Sequence, residues 1–201
     1  MFCLKVRSDA AWAKEAVAQF DKVLVDHAHC EMKAASNALS LAARHPDDLD
    51  LVRALTDLAK EELDHFQRVL SILQERGIPL GTPEVDTYAA ELRKASKERP
   101  PNWPVLVDRL LVGALIEARS CERFKLLLGE LDPEREPEMH AFYSELFAAE
   151  ARHYRTFCDL AIATGGVPRE AVEARLEHLS VLEGRIVSRL AKNEFRGFIH
   201  G

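Results

Sequence analysis

Two stretches of this sequence decide its fold: LAKEELDHFQRVL at residues 58–70 and FAAEARHYRTF at residues 147–157. Each contains Glu-x-x-His, a spacing that places a carboxylate and an imidazole one turn apart on one face of a helix. In both stretches this pair interrupts a stripe of apolar residues that recurs at helical spacing. We therefore predict two helices that each turn two ligand-type side chains toward the core. These side chains are Glu62, His65, Glu150 and His153.

The rest of the chain is also predicted to be mainly helical. Nine Gly and nine Pro residues fall in groups, and the sequence between them is rich in residues that favour helix. Apolar and polar residues do not alternate in the manner of strands. The predicted long helices cover residues 8–44 with a break near Asp21, 47–76, 104–130, 136–164 and 169–194, and a short helix lies within 83–97. Asp47 or Asp48 can cap the second helix, and Gly77 suits its end.

The lengths of the connections predict the topology. A very short loop joins the first two long helices, which should therefore pack antiparallel, whereas residues 77–103 can cross the length of a bundle. We expect an all-α, ferritin-like four-helix bundle with one long crossover and an additional C-terminal helix. We further expect residues 1–201 to form a single domain of this kind.

A carboxylate also interrupts the core stripe of each remaining bundle helix. Glu31 does so in the first helix and Glu117 in the third, at similar separations from Glu62 and Glu150. Four carboxylates and two imidazoles in one interior need a counter-charge, which two divalent metal ions would supply. Oxygen-rich ligands with two imidazoles suit iron or manganese better than zinc. A plain helical bundle with partly solvated acids is the alternative.

Several positions leave a choice open. Glu122 is a rival to Glu117, but its stripe is more polar, so we choose Glu117. His27 lies one turn before Glu31 and either orients that ligand or makes its own hydrogen bond, and His29 is expected to do the latter. Tyr143 and Tyr154 lie near the predicted site, where packing is expected to be their main role.

Composition limits the remaining possibilities. The chain has 201 residues and a formal charge of −6, which argues against coating nucleic acid by bulk charge. No apolar run approaches the roughly 20 residues of a membrane span, so we expect no membrane attachment and a cytoplasmic protein. Cys3, Cys30, Cys121 and Cys158 are not clustered, which favours reduced thiols over a thiolate metal site.

The motifs resemble a known family. LVDHAHCEMKAASNALSL (24–41), LLVGALIEARSCERF (110–124) and the two stretches quoted first are similar to the MiaE family of tRNA hydroxylases, as is the ending FRGFIHG. The resemblance implies a ferritin-like fold and O2-dependent hydroxylation of the isopentenyl group of 2-methylthio-isopentenyladenosine, beside the anticodon of tRNA. Carried over by motif, the ligands of two iron ions are Glu31, Glu62, His65, Glu117, Glu150 and His153.

The resemblance also implies partners. An external electron donor, a ferredoxin or a reductase, would supply electrons, and tRNA would bind through its phosphates; a monomer is expected. The candidate phosphate contacts are Arg93, Lys94, Lys97, Arg185, Arg189, Lys192 and Arg196, with Arg99 nearby in the crossover. Trp103 would stack on a base or anchor its loop.

Two other classes of protein fit parts of the pattern. A ferritin-like iron oxidase or peroxide scavenger needs the same ligands but no tRNA. A non-catalytic helical bundle would bind a partner through its last helix and need no metal.

Overall fold

In the computed structural model, residues 2–191 are described, and they form seven α-helices and no β-strand. The helices are α1 (Ala11–Ala18), α2 (Phe20–Ala43), α3 (Leu49–Glu75), α4 (Thr87–Ala95), α5 (Val105–Leu128), α6 (Pro137–Thr164) and α7 (Arg169–Leu190). The five predicted long helices and the short crossover helix are therefore all present.

The first predicted helix begins later than expected but breaks where predicted. The break falls at Gln19, between α1 and α2, two residues before Asp21. The helix begins at Ala11 rather than at Ser8 because the side chains of Ser8 and Asp9 make hydrogen bonds outside the helix. The Asp9 carboxylate accepts a hydrogen bond from the amide of Ala11 at 2.9 Å, while Ser8 bonds to a distant side chain.

Helix α3 shows why the boundaries of a helix can be read from sequence. Asp48 is its N-cap, and the Asp48 carboxylate accepts a hydrogen bond from the amide of Leu51 at 3.0 Å. At the other end Gly77 has a φ of +67°. This left-handed residue lets the amide of Ile78 reach back to the carbonyl of Leu73 at 2.9 Å. The predicted N-cap and the predicted C-terminal glycine are therefore both confirmed.

The contacts divide the described chain into two compact units. The first of these, residues 18–85, consists of α2 and α3, which pack along each other. Only residues 44–48 connect the two helices, so they run antiparallel, as predicted.

The second unit consists of residues 2–17 and 86–191. Here α5 packs along α6, and α4 packs on α7. Helix α5 is buried on nearly all sides because α4, α6 and α7 all contact it. It therefore forms the centre of this unit.

A buried polar network joins α4, α5 and α7 to the N-terminal segment. The guanidinium of Arg119 is fully buried and donates hydrogen bonds to Glu183 at 2.7 and 3.0 Å. Arg119 also pairs with Glu122, whose carboxylate accepts a hydrogen bond from the hydroxyl of Ser8 at 2.8 Å. The hydroxyl of Tyr88 donates to Glu183 at 3.0 Å. Each charge of the network therefore has a partner, and none is an isolated buried ion.

The hydropathy of the helices and the state of the cysteines are both visible in residues 2–191. None of the helices there is long and apolar enough to cross a membrane. Cys3, Cys30, Cys121 and Cys158 are thiols that form no disulfide with one another, as predicted.

Candidate metal centre

Helices α2 and α3 bring three of the predicted ligands together. The Nδ1 atom of His65 lies 3.6 Å from a carboxylate oxygen of Glu31 and 3.7 Å from one of Glu62. All three side chains are buried, with exposed fractions of 6% or less. One ligand atom from each lies within 4.8 Å of the others, which is close enough for one metal ion to contact them all.

The two histidines before Glu31 have different partners. The Nε2 atom of His27 lies 2.7 Å from Oε1 of Glu31, so this imidazole can orient the carboxylate. The Nε2–H group of His29 instead donates to the carbonyl oxygen of Leu80 at 3.1 Å. His29 thus makes the hydrogen bond of its own that was expected, and it attaches the start of the crossover to α2.

The electrostatics of this cluster favour a positive charge at its centre. Burial opposes protonation of the imidazole, but the nearby carboxylates of Glu31 and Glu62 outweigh this effect and raise the pKa of His65 to about 10. Burial likewise opposes ionisation of Glu31, yet its hydrogen-bond partners hold the pKa of Glu31 well below its usual value. The carboxylates therefore attract a cation, a proton or a metal ion, into this position.

Helices α5 and α6 carry a second buried cluster. One ligand atom of Glu117 and one of His153 lie within 4.8 Å of each other. Glu150 is one turn before His153 on α6 and is equally buried, at 3% exposure. Leu146 and Phe157 continue the buried face of α6 on either side. The apolar stripe that predicted these positions is therefore the face that turns inward.

Glu122, the rival of Glu117, has a different environment. It is also buried, because α5 is enclosed on the face where the sequence indicated more polar surroundings. Its carboxylate is used by Arg119 and by the amide and hydroxyl of Ser8. Of these two carboxylates, Glu117 is the one grouped with His153.

The aromatic candidates are packed. Tyr143 is fully buried, and its ring lies 5.3 Å from the ring of Phe124. The ring of Tyr154 lies 4.4 Å from that of Phe2, in the N-terminal segment. The indole N–H of Trp103 donates to Asp108 at 3.0 Å, which favours its role as an anchor of the loop.

Among residues 2–191, most of the basic candidates lie on two helices that pack on each other, α4 and α7, and Lys97 follows the end of α4. Arg93, Lys94, Lys97 and Arg185 are exposed. Arg189 is also exposed but pairs with Glu91 of α4. Arg185, Arg189 and Lys5 border a shallow cavity of about 420 Å³. Lys192 and Arg196 lie outside the residues that the structure describes, and Arg99 pairs with Asp108 at 3.6 Å.

Arg119 and Glu183 were not among the residues predicted from the sequence. One signal was available for Arg119, which lies three residues before Glu122 and can therefore pair with it on the same helix face. No local signal indicates Glu183, because its partners come from distant parts of the chain.

Comparison with known proteins identifies the family. The family model described as tRNA-(MS2IO6A)-hydroxylase (MiaE) matches residues 2–200, nearly the whole chain. This chain belongs to the MiaE family. The resemblance of its motifs to that family is thereby confirmed.

Two curated relatives share one name with each other. A tRNA 2-(methylsulfanyl)-N(6)-isopentenyladenosine(37) hydroxylase from Pseudomonas putida is 45% identical over 151 residues, which are 75% of this chain and 71% of that protein. The hydroxylase of that name from Salmonella typhimurium is 36% identical over 137 residues, 68% of this chain. The alignment spans only 47% of the Salmonella protein.

A solved structure agrees on the fold. Protein 43 with aldehyde deformylating oxygenase activity from Synechococcus superposes with a TM-score of 0.87 and 35% sequence identity. The superposition covers 100% of this chain and 96% of that one. The ferritin-like, all-α fold predicted for this MiaE family member is therefore confirmed.

The donor set fits the metals that a ferritin-like protein binds. Each unit offers two buried carboxylates and one buried imidazole from the predicted ligands, a set in which oxygen predominates. No cysteine belongs to either cluster among residues 2–191. Such donors suit iron and manganese, whereas structural zinc is commonly held by thiolates.

Proposed function

We propose that this protein is a tRNA 2-(methylsulfanyl)-N6-isopentenyladenosine hydroxylase, a monooxygenase that uses two iron ions and O2. The observation that carries the proposal is the match of the MiaE family model to residues 2–200. The curated relatives in that family are named for this activity. Iron storage or peroxide scavenging, the alternative from the sequence, is not favoured because neither relative is named for it.

Six residues are proposed to hold the iron ions. They are Glu31, Glu62, His65, Glu117, Glu150 and His153. Support comes from the burial of all six side chains and from the grouping of acids with imidazoles in each unit. With its iron bound, the centre would supply activation of O2 for hydroxylation of a C–H bond.

The protein's own residues have three tasks in this proposal. The carboxylates neutralise the metal charge, which makes their burial tolerable. His27 fixes the orientation of Glu31 through the 2.7 Å hydrogen bond. The apolar residues beside the ligands, such as Leu58 on α3 and Leu146 on α6, are buried and keep water from them.

The balance of the reaction requires a partner. Hydroxylation combines R–H, O2, two electrons and two protons to give R–OH and H2O. The electrons do not come from the substrate, so we infer an external donor, a ferredoxin or a reductase. A single ferritin-like domain, a monomeric state and a cytoplasmic location, where tRNA is found, complete the proposal.

The basic residues of α4 and α7 are proposed to bind tRNA phosphates. Support comes from the exposure of Arg93, Lys94, Lys97 and Arg185, and from the packing of α4 on α7. The modified base would be turned out so that its prenyl group enters the protein. Lys192 and Arg196 belong to the same proposal.

Nucleoside mass spectrometry tests the activity. The protein is loaded with Fe(II) without air, and an electron source, O2 and prenylated tRNA are then added. We expect the prenylated nucleoside to gain one oxygen atom with the wild type and none with Glu150→Ala. An aldehyde serves as a control substrate, because the Synechococcus protein is named for aldehyde deformylation. Oxygen consumption without oxygen gain on tRNA would reject the hydroxylase.

Salt dependence tests the tRNA surface. Each phosphate contact contributes about 0.9 to the slope of log affinity against log salt for duplex and about 0.7 for single strands. Arg185→Gln should lower that slope by about one contact, whereas the matched control Arg169→Gln should leave it unchanged. Arg169 is an exposed arginine at the start of the same helix, where it pairs with Glu173. Equal slopes for wild type and Arg185→Gln would show that Arg185 makes no contact with a tRNA phosphate.

A further inference from the structure

A glycine on α5 lies one turn from the second ligand cluster. Gly113 is buried and precedes Glu117 by four residues. A Cβ atom built on Gly113 would lie 2.9 Å from both Cε1 and Cζ of Phe157 and 3.1 Å from its Cδ1. The ring of Phe157 thus rests directly against the backbone of α5.

Phe157 occupies the matching position on the partner helix. It follows His153 by four residues on α6 and is buried, with 3% exposure. Helices α5 and α6 run antiparallel, since they pack lengthwise and residues 129–136 join them. One turn along α5 therefore corresponds to one turn back along α6. The Gly113–Phe157 contact and the Glu117–His153 pair are adjacent layers of one interface, about 6 Å apart along the axis.

The closeness of the two helices depends on the missing Cβ atom. Carbon atoms in optimal contact are about 3.5–4.0 Å apart, so a methyl group at 2.9 Å would need roughly 0.6–1.1 Å of additional space. The buried ring has little free volume to move into, because protein interiors are close-packed. The additional space would come from separation of α5 and α6. A functional site tolerates about 0.5 Å of displacement, less than this separation.

We propose that Gly113 is a positioning residue of the metal centre, because it lets Phe157 close against α5 and so sets the helix separation at which Glu117 and His153 meet. This inference rests on the proposed function in that Glu117 and His153 are taken as ligands. Gly113 acts through Phe157 and touches no substrate.

Five proteins test the inference: wild type, Gly113→Ala, Phe157→Leu, Gly113→Ala with Phe157→Leu, and Gly184→Ala. The last is a matched control, because a Cβ atom on Gly184 would lie 2.8 Å from Cγ2 of Val6. This clash is as tight but lies on α7 against the N-terminal segment. Fe(II) affinity and the Mössbauer spectrum of the iron-loaded proteins are measured at equal protein concentration.

Gly113→Ala should weaken iron binding by about 10-fold or more, the usual effect of disturbing groups that orient ligands, and should change the Mössbauer spectrum. Gly184→Ala should bind iron with wild-type affinity and spectrum even where its stability falls. The double variant should recover most of the affinity, because Leu is shorter than Phe. Wild-type binding by Gly113→Ala, or equal loss in Gly184→Ala, would overturn the inference.

A metal-free readout separates this inference from the proposed function. In a crystal structure of Gly113→Ala, the nearest ligand atoms of Glu117 and His153 should lie further apart than in the wild type. An unchanged separation overturns the inference, whereas failure of the wild type to bind iron overturns the proposed function. If Gly113→Ala does not fold, the double variant decides: it should fold and bind iron like Phe157→Leu alone, and failure to do so refutes the contact.

Discussion

Glu117 and Glu122 share one helix but have different surroundings. Glu122 is neutralised by Arg119 and by hydrogen bonds from Ser8. Glu117 is grouped with an imidazole instead. Both carboxylates are buried and only five residues apart, so each can serve as the control for the other in a test of which one binds iron.

We predict that Glu117→Gln loses iron and Glu122→Gln retains it. The affinity of Glu117→Gln should fall by about 100-fold or more, since even the partners of ligands contribute about 10–100-fold. Glu122→Gln should lower the free energy of unfolding by about 1–3 kcal/mol, because a buried hydrogen-bond partner is weakened. Metal analysis and urea unfolding measure both effects. Loss of iron by Glu122→Gln alone would reverse the assignment.

The buried hydroxyl of Tyr88 should make the free energy of unfolding depend on pH in the alkaline range. Burial, followed by the charge of Glu183, raises the pKa of Tyr88 well above its usual value of about 10. The unfolded chain loses this proton near pH 10, whereas the folded protein retains it. The stabilising contribution is therefore complete below pH 10 and is lost as the pH rises further.

The measurement is urea unfolding of wild type and Tyr88→Phe between about pH 8 and pH 11, a range that brackets the ordinary pKa of a tyrosine hydroxyl. The free energy of unfolding should decrease above pH 10 more steeply for the wild type than for Tyr88→Phe. Parallel curves would show that Tyr88 ionises equally in both states.

At the scale of single helices, capping explains why the boundaries of α3 could be predicted. The sequence left Asp47 and Asp48 as alternatives, and the structure uses Asp48. A cap depends on three or four neighbouring residues, which is why local sequence predicts it. The displaced start of α1 shows the opposite case, since Ser8 is used by Glu122, a residue far along the chain.

We predict that Asp48→Ala destabilises the protein by about 1 kcal/mol, the usual contribution of an N-cap. Asp47→Ala should change stability by less than about 0.5 kcal/mol, because Asp47 is exposed and lies outside the cap. Urea unfolding of the two variants makes the comparison. An equal effect of both substitutions would contradict the assignment of the cap.

At the scale of the whole molecule, the proposed iron centre links metal binding to stability. A ligand that binds only the folded state at about 100 times its dissociation constant adds about 2.7 kcal/mol. For a protein of about 200 residues, this corresponds to a rise in Tm of about 5–10 °C. Fe(II) should therefore raise the Tm of the wild type and not that of a Glu62→Ala, Glu150→Ala double variant. Calorimetry with and without a chelator checks this.

The proposed monomer has a direct test as well. Sedimentation equilibrium of the wild type should give a mass near 22.6 kDa, the mass of one chain. A mass twice as large that persists on dilution would replace the monomer with a dimer.

The sequence by itself determined the helices, the fold class and the two Glu-x-x-His faces, because helix propensity, capping and apolar periodicity act over a few residues. The six candidate ligands were also named from these local patterns. The apolar stripes also favoured Glu117 over Glu122. They did not predict that Glu122 is buried as well, because α5 is enclosed on nearly all sides.

Only the tertiary structure supplied those partners of the buried charges that are distant in sequence. Arg119 and Glu183 are far apart in sequence, and nothing near either residue predicts that they meet. The same holds for Gly113 and Phe157, whose contact depends on how closely α5 approaches α6. Such contacts follow from the packing of whole helices, in which the position of one side chain is set by many others.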